Sequence, residues 1–324
     1  MRVRAFSEDD AERWDACCAA AVNATFLHTR RFLAYHGNRF DDLSLVVEDA
    51  QGAVLGVLPA ARDPQDPDTV VSHPGSTYGG LVHGGALRGE AMVQALAAAA
   101  AHHGALGLRR LRYKALPHAY HRAPAQDDLY ALQRLGAQRS RCDLSSCIDL
   151  AHRLPVATRR RRALARARRA GLQVHAGDAA RAGLPALWDV LRENLRQRHG
   201  VEPVHTLDEM AALAQRFPQH IAVRLACRAA HVLAGSVLFR TGAVVHAQYL
   251  ANSDEGRECG ALDLVLETAI DEARADGARY FDFGISTEDG GRRLNAGLHA
   301  YKSEFGAGAL VHEFYELALP CVGN

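Results

Sequence analysis

The run Asp282-Phe283-Gly284-Ile285-Ser286-Thr287-Glu288-Asp289-Gly290-Gly291 has the make-up of a site: an aromatic strand leads into a polar, glycine-rich loop. Loops at the carboxyl ends of sheet strands are where α/β proteins hold ligands. There Asp282 can orient a polar group, or it can pair with an arginine while the glycines only make turns. Asp-Phe-Gly also occurs in protein kinases, but no His-Arg-Asp loop or phosphate-covering glycine loop accompanies it, so the kinase reading fails. Further on, Lys302 stands in Tyr301-Lys302-Ser303-Glu304-Phe305-Gly306. Of 38 basic residues only Lys114 and Lys302 are lysines. A compact ammonium can approach a developing oxyanion or a phosphate as a point charge, where a planar guanidinium cannot; the plainer reading is a solvated surface lysine.

Between residues 153 and 169 lie eight arginines (153, 159, 160, 161, 162, 166, 168 and 169) and no acid. Four of them are consecutive, so on a helix they point in every direction and cannot all line one site. Arg160 and Arg161 head the candidates for phosphate binding. The alternative is a solvated basic helix in a chain that uses arginine almost throughout. Histidines 199, 205 and 246 are candidate bases. His199 ends a helix, which suits a capping cation, and His246 alternates with Val245 and Ala247 on a strand and can face either way. None has a metal-ligand partner at helical spacing, so no metal is expected.

The elements that must carry these residues recur. An Ala/Leu helix from Glu90 stops at Gly104 before the strand-like Arg110–Tyr113, and helix 261–276 stops at Gly277 before Arg279–Phe283. A glycine just past a helix end is the usual left-handed cap. Tyr78 and Tyr249 precede the two helices, and a second glycine follows each cap, 32 residues on at Gly136 and 29 on at Gly306. Strands follow near 142–150 and 310–317. Three agreeing landmarks predict one mixed α/β domain present twice, 1–152 and 153–324, with Pro155 in the first turn of a new helix. In the second half Pro185 opens a helix that Gly200 ends, and Thr206 and Glu209 form a capping box for a helix closed by Pro218. Strands are expected at 220–227, 232–240 and 243–251. Helix 261–276 turns Leu262, Val265, Leu266, Ala269, Ile270 and Ala273 inward and Asp263, Glu267, Asp271 and Arg274 to water.

Composition sets the outer bounds. The 324 residues are 48% hydrophobic and 23% charged, which fits a soluble globular chain of two domains. The formal net charge of +1 gives no global field toward nucleic acid or membrane, so any such preference is local. The seven cysteines form no C-x-x-C pair, which argues against a disulfide framework or structural zinc. MRVRAFSEDDAERW does not read as a signal peptide, and Ala91–Ala101 is too short to span a bilayer. The expectation is a cytoplasmic protein, a monomer or homodimer, without a membrane span.

Asp282-Phe283-Gly284, then Leu294-Asn295-x-Gly297-Leu298-x-x-Tyr301-Lys302-x-x-Phe305-Gly306, behind a basic segment that opens the second half, resembles the FemAB-like branch of the GNAT acyltransferase superfamily. So does Ser72-His73-Pro74-Gly75-x-Thr77-Tyr78-Gly79-Gly80 in the first half. The resemblance implies an α/β (α+β) chain of two tandem GNAT-like lobes. Each lobe would be a mixed, mostly antiparallel sheet flanked by helices. It also implies transfer of an acyl group from an acyl-CoA or similar thioester to a small-molecule or peptide-like amine, with no tightly bound cofactor. A splayed strand, here Val244–Ala251, would offer backbone N–H groups to the donor carbonyl, and the next helix N-terminus would take its diphosphate. Arg257, Gly260 and Ala261 match the donor loop in part. Asp254, Glu255 and Glu258 depart from it, as three carboxylates oppose a diphosphate. On this reading Lys302, Tyr249 and Asp282 carry catalysis, and His73, Tyr78, Ser286 and Asn295 line the cleft on the acceptor side. Two rivals stand beside it: an aminoacyl-tRNA donor with tRNA as partner, and a GNAT scaffold that binds without catalysis.

Overall fold

Each half of the chain builds its sheet around one parallel strand pair joined through one long helix. A computed structural model describes residues 1–229 and 231–320. The first half contributes β1 (Arg2–Ala5), β2 (Leu45–Glu48), β3 (Val54–Leu58), β4 (Ala61–Asp63), β5 (Asp66–Val71), β6 (Val82–His83), β7 (Arg110–Lys114) and β8 (Gln138–Asp149). Its main helices are α1 (Ala11–Ala20), α2 (Glu90–Ala105) and α3 (Asp127–Arg134). The second half contributes β9 (Gln173–His175), β10 (Ile221–Arg228), β11 (His231–Arg240), β12 (Val244–Asn252), β13 (Tyr280–Ile285) and a closing strand, Gly308–Ala318. Besides a short helix at Gly177–Ala182, its helices are α4 (Thr158–Arg169), α5 (Leu184–His199), α6 (Leu207–Arg216), α7 (Asp254–Cys259), α8 (Ala261–Ala275) and α9 (Ala296–Ser303).

These elements group into two compact units. The first comprises Met1–Leu144, Thr287–Arg293 and Val311–Asn324; the second comprises Ser145–Ser286 and Leu294–Leu310. The division falls inside β8, where the sequence reading sets it after residue 152.

In the first unit β1, β2, β3 and β6 form one sheet, and β4, β5, β7, the closing strand and β8 run in that order in another. There β5 and β7 pair in parallel, Thr69 opposite Arg110 and Val71 opposite Arg112, with α2 on the crossover. In the second unit β12 and β13 pair in parallel, Val244 opposite Tyr280 and His246 opposite Asp282, with α8 on the crossover. Their neighbours β10, β11 and β8 are antiparallel. A parallel pair needs such a crossover, whereas a hairpin serves the rest. The two halves of the chain therefore share the order strand, helix, parallel strand, helix, strand, in the mixed, mostly antiparallel sheet expected of two related lobes.

The core of the second unit gathers Val265, Leu266, Ala269 and Ile270 of α8 against Ala234, Leu238, Ala247, Phe281 and Phe283. That of the first gathers Met92, Leu96 and Ala99 of α2 against Leu45, Val47, Leu58, Leu111 and Tyr113.

Several local readings change. Gly104 lies inside α2, where an added Cβ would sit 2.3 Å from the Pro320 carbonyl oxygen; close packing explains it, and Gly107, with φ +83°, is the left-handed residue. Gly277 (φ +79°) does follow the end of α8. Pro155 stands ahead of α4, which starts at Thr158, whereas Pro185 lies in the first turn of α5 and Gly200 ends that helix at φ +64°. The Thr206–Glu209 capping box forms at α6. Asp263, read as facing water, is buried. The side chain of His199, and Cys321, lie outside the described residues.

Candidate active site

β12 and β13 run side by side for only three residue pairs and then part. Their last pair is His246 with Asp282, yet β12 continues to Asn252 and β13 to Ile285. On its other edge β12 pairs Ala247 with Leu238 and Tyr249 with Val237, so Gln248 is an extra, bulged residue. A bulge bends its strand and re-aims the side chains that follow. Strand alternation sends Val245, Ala247, Phe281 and Phe283 into the core with α8. His246 and Asp282 therefore share the opposite face.

Asp282 is completely buried. Its carboxylate accepts from Ser145 Oγ and from Gly284 N (3.1 Å) and faces His246 Nδ1 at 2.8 Å. An ionised carboxylate only accepts hydrogen bonds, so Nδ1 of His246 carries the proton toward it. Asp282 thus orients a polar group, and that group is a histidine, not an arginine. Gly284 at φ +78° turns the chain beside the imidazole, and a Cβ there would lie 3.3 Å from His246 Cε1.

Lys302, read as a group open to an oxyanion or to solvent, is instead buried in α9. Its Nζ donates to the carbonyl oxygens of Gly284 (2.8 Å) and Ile285 (2.7 Å), which braces the loop that follows Asp282. Burial pulls its pKa down to about 8, and the charge of Asp282 opposes that fall. Below about pH 8 the amine is charged in both folded and unfolded chains, so folding carries the full desolvation penalty. From there to the free-lysine value of about 10.4 the unfolded chain binds the extra proton, and rising pH favours the fold. Urea unfolding across that range is expected to show wild type gaining stability relative to Lys302→Met; parallel curves would contradict it.

On the α8 side of β12 lies a cleft of about 590 Å³. Arg160 and Arg166 of α4, Asn194 of α5, Leu250 and Asn252 of β12, Arg257 of α7 and Asn295 at the start of α9 line it, with Leu262, Leu298 and Tyr301 as its apolar wall. The cationic lining suits phosphate, and three asparagines add donors and acceptors of fixed aim. Arg160 is buried beneath the cleft, ion-paired with Asp263 and with Glu304 (2.9 Å), its guanidinium 4.6 Å from the centre of the Tyr301 ring. Burial pushes the Asp263 carboxyl up from its ordinary value, and Arg160 opposes that rise. Arg166 is exposed at the cleft. Arg257 ion-pairs with Asp254 while facing the cleft.

The donor loop takes a different form from the one the resemblance implies. Asp254–Cys259 wind into α7, with Ser253 capping Gly256 N, and Glu255 pairs with Arg228. Gly260 (φ +81°) joins α7 to α8, its missing Cβ 2.7 Å from the Ala163 carbonyl oxygen, and Ala261 is fully buried. Neither offers the cleft a side chain. Arg161 hydrogen-bonds Thr158 Oγ1 (3.0 Å) at the surface and lies outside the cleft lining. Arg153 is held by Glu267 at 2.8 Å and Arg159 by Glu304 at 2.6 Å. Arg153, Arg159 and Arg160 of the run are therefore ion-paired structure, and Arg166 is an exposed member that lines the cleft.

Of the other sequence candidates, Asn295 lines the cleft, whereas Tyr249, Ser286, His73 and Tyr78 do not. Tyr249 packs edge-on against Trp188, and its hydroxyl meets His205 Nδ1 at 2.6 Å. Burial pushes that phenol up to about 12. Tyr249 is not part of the cleft lining. Ser286 is buried, and its carbonyl accepts from Asn295 N at 2.9 Å. Asn295 caps α9 through Leu298 N (3.0 Å) as it lines the cleft. His73 and Tyr78 are buried in the first unit. His73 stacks on His36 at 4.9 Å and sits at φ +65°, its pKa lowered to about 3 by burial and by neighbouring His36 and Lys114. Tyr78 packs between His28 and Tyr120.

The sequence reading missed Ser145 and Asn194, which belong to no shared motif. Arg166 lay in its basic run, and Leu250 and Asn252 in or next to its donor strand, without being singled out.

Residues 156–303 match the acetyltransferase (GNAT) domain family. No curated protein sequence matches the chain significantly. Among solved structures, FemX superposes with a TM-score of 0.68 at 14% identity, over 98% of each chain. The L-PGS from Bacillus licheniformis gives 0.62 at 13%, over 99% of this chain and 94% of that one. A tandem GNAT protein from the clavulanic acid biosynthesis pathway gives 0.50 at 15%, over 98% and 97%. Residues 156–303 are thus similar to the GNAT domain family, and the whole chain has a fold like that of FemX and of the tandem GNAT protein. Among the described residues no helix is long and apolar enough to cross a membrane.

Proposed function

We propose that this chain, similar to the GNAT domain family at 156–303 and FemX-like in fold, transfers an acyl group from an activated ester or thioester to an amine. The observation that carries the reading is the parting of β12 from β13 next to a cleft lined by Arg160, Arg166 and Arg257. A donor on a phosphate-bearing carrier, an acyl-CoA in the first instance, lies with its phosphates toward Arg166 and Arg257. Its acyl group reaches the gap between the strands. Backbone N–H groups around the Gln248 bulge stabilise the tetrahedral oxyanion, and the acceptor amine enters from the face of His246 and Asp282. An activated donor already has a good leaving group, so positioning supplies much of the rate. Lys302 serves through the Gly284–Ile285 carbonyls that it holds.

The test is mass spectrometry of products after incubation with acyl-CoAs, aminoacyl-tRNAs and a panel of amines. With an active pair in hand, Arg166→Ala and Arg257→Ala are each expected to raise the donor KM by roughly 10-fold or more with kcat little changed, the size of a lost charge-assisted hydrogen bond. Unchanged KM values would remove the cleft from the donor site.

A second reading, with aminoacyl-tRNA as donor, is favoured by α7, where the first turn of the would-be diphosphate loop carries Asp254 and Glu255. Like charges there oppose a diphosphate. A steep fall of donor affinity with salt would favour tRNA; tight coenzyme A binding by calorimetry would count against it. Transfer from none of the donors would leave the chain a binding protein on an acyltransferase scaffold.

A further inference from the structure

Resting on the acyl-transfer reading, we infer that the exposed face of α4 docks an acidic carrier protein whose phosphopantetheine arm brings the acyl group into the cleft. Charge on that face comes first. Arg153, Arg159 and Arg160 take the carboxylates of Glu267, Glu304 and Asp263. Among the described residues, Arg161, Arg162, Arg166, Arg168 and Arg169 stand exposed and outside any ion pair. Arg162, Arg166 and Arg169 follow one another at steps of four and three residues, so they form one row along the helix. Arg166 also lines the cleft, and the row therefore runs from open surface to the cleft. A row of guanidinium groups that no acid of the chain neutralises complements an acidic partner surface.

The cleft selects the kind of carrier. Of its three arginines, Arg160 is neutralised by Asp263 and Glu304 and Arg257 is paired with Asp254, which leaves Arg166 uncommitted. One uncommitted cation matches the single phosphodiester that ties a pantetheine arm to its protein better than the several phosphates of coenzyme A or an RNA end. Leu250, Leu262 and Leu298 make an aliphatic wall. Tyr301, the one aromatic ring among the described lining residues, is already engaged by the Arg160 guanidinium at 4.6 Å and by Phe305 at 5.4 Å. A nucleobase therefore meets leucines where it needs a free aromatic platform. An alkyl chain with amides fits instead: the leucines cover its carbons, and the carboxamides of Asn194 and Asn252 match its amides. In the transfer the acceptor nitrogen bonds to the thioester carbon and the C–S bond breaks. The proton shed by that nitrogen ends on the pantetheine sulfur, so the carrier protein leaves as its free thiol.

The experiment titrates the full chain with an acyl carrier protein that bears phosphopantetheine, the same protein without its arm, pantetheine 4′-phosphate, coenzyme A and tRNA, each at low and at high salt. The armed carrier protein is expected to bind tightest and to weaken as salt rises. Arg162→Glu combined with Arg169→Glu is expected to weaken it by about 10-fold or more, with pantetheine 4′-phosphate binding as wild type, since neither residue lines the cleft. That retained binding also shows that the variant is folded. No binding of the armed carrier protein, an unchanged affinity in the double variant, or tighter binding of tRNA or coenzyme A overturns the inference. Transfer from an acyl-CoA without carrier-protein binding overturns it and leaves the transfer reading standing. Salt-sensitive carrier-protein binding with no transfer from any donor sinks the transfer reading and the acyl cargo, but not the docking face.

Discussion

Arg160→Leu is expected to destabilise the protein by about 3–5 kcal/mol, the usual result of removing one partner from a buried ion pair. The arginine is 8% exposed and joins Asp263 and Glu304, and its loss strands the buried Asp263 without its ion-pair partner. Against a total stability of about 5–15 kcal/mol, that is a large fraction. The pH dependence carries the diagnosis. Burial already raises the Asp263 pKa, and removing Arg160 raises it further. A carboxyl with a raised folded pKa keeps its full contribution below the unfolded value of about 3.9 and loses it as pH climbs through the folded one. The deficit of Arg160→Leu should therefore be smallest near pH 4 and widen toward pH 8 in urea melts. A deficit independent of pH would mean that the guanidinium acts by packing on Tyr301, not by its charge.

Gly306→Ala should cost about 2–5 kcal/mol, and its repeat counterpart Gly136→Ala only about 1–2. Both glycines have left-handed backbones, φ +82° and +81°. An L-residue there costs roughly 1–2 kcal/mol. Around Gly136 nothing lies within 4 Å of an added Cβ, so that term is the whole effect. At Gly306 the Cβ would sit 2.1 Å from the Leu154 carbonyl oxygen, and Leu154 N is itself bonded to the Gly306 carbonyl at 3.1 Å. Backbone has to move, which adds the roughly 1–3 kcal/mol of an overpacked site. Equal midpoints for the two variants in thermal melts would refute the distinction.

That pair also shows how far the sequence reached. The glycines, their spacing and the helices before them are local signals, since a left-handed turn is a property of a few consecutive residues. The capping box at Thr206 and Glu209 and the inward stripe of α8 were legible for the same reason: both are set within one or two turns of helix. Gly104 misled because two unrelated requirements, a left-handed cap and a close backbone contact, select the same residue. Asp263 misled because helical periodicity assigns a face without knowing that Arg160, more than a hundred residues away in the chain, will cover it.

The two lysines draw the line clearly. Their rarity among arginines is visible in the sequence and marks both positions. What they do is not, because each ammonium is defined by carbonyl groups from a distant turn: His73 and Ser76 for Lys114, Gly284 and Ile285 for Lys302. The sequence by itself determined a tandem α/β chain and singled out the stretch 282–302, through periodicity, turn residues and motif spacing. Only the tertiary structure decided that Asp282 holds His246, that Arg153, Arg159 and Arg160 of the basic run are tied up in ion pairs, and that β12 and β13 separate beside a cationic cleft. Those outcomes depend on which strands become neighbours. Strand pairing is fixed by burial of a whole core rather than by any short stretch of residues.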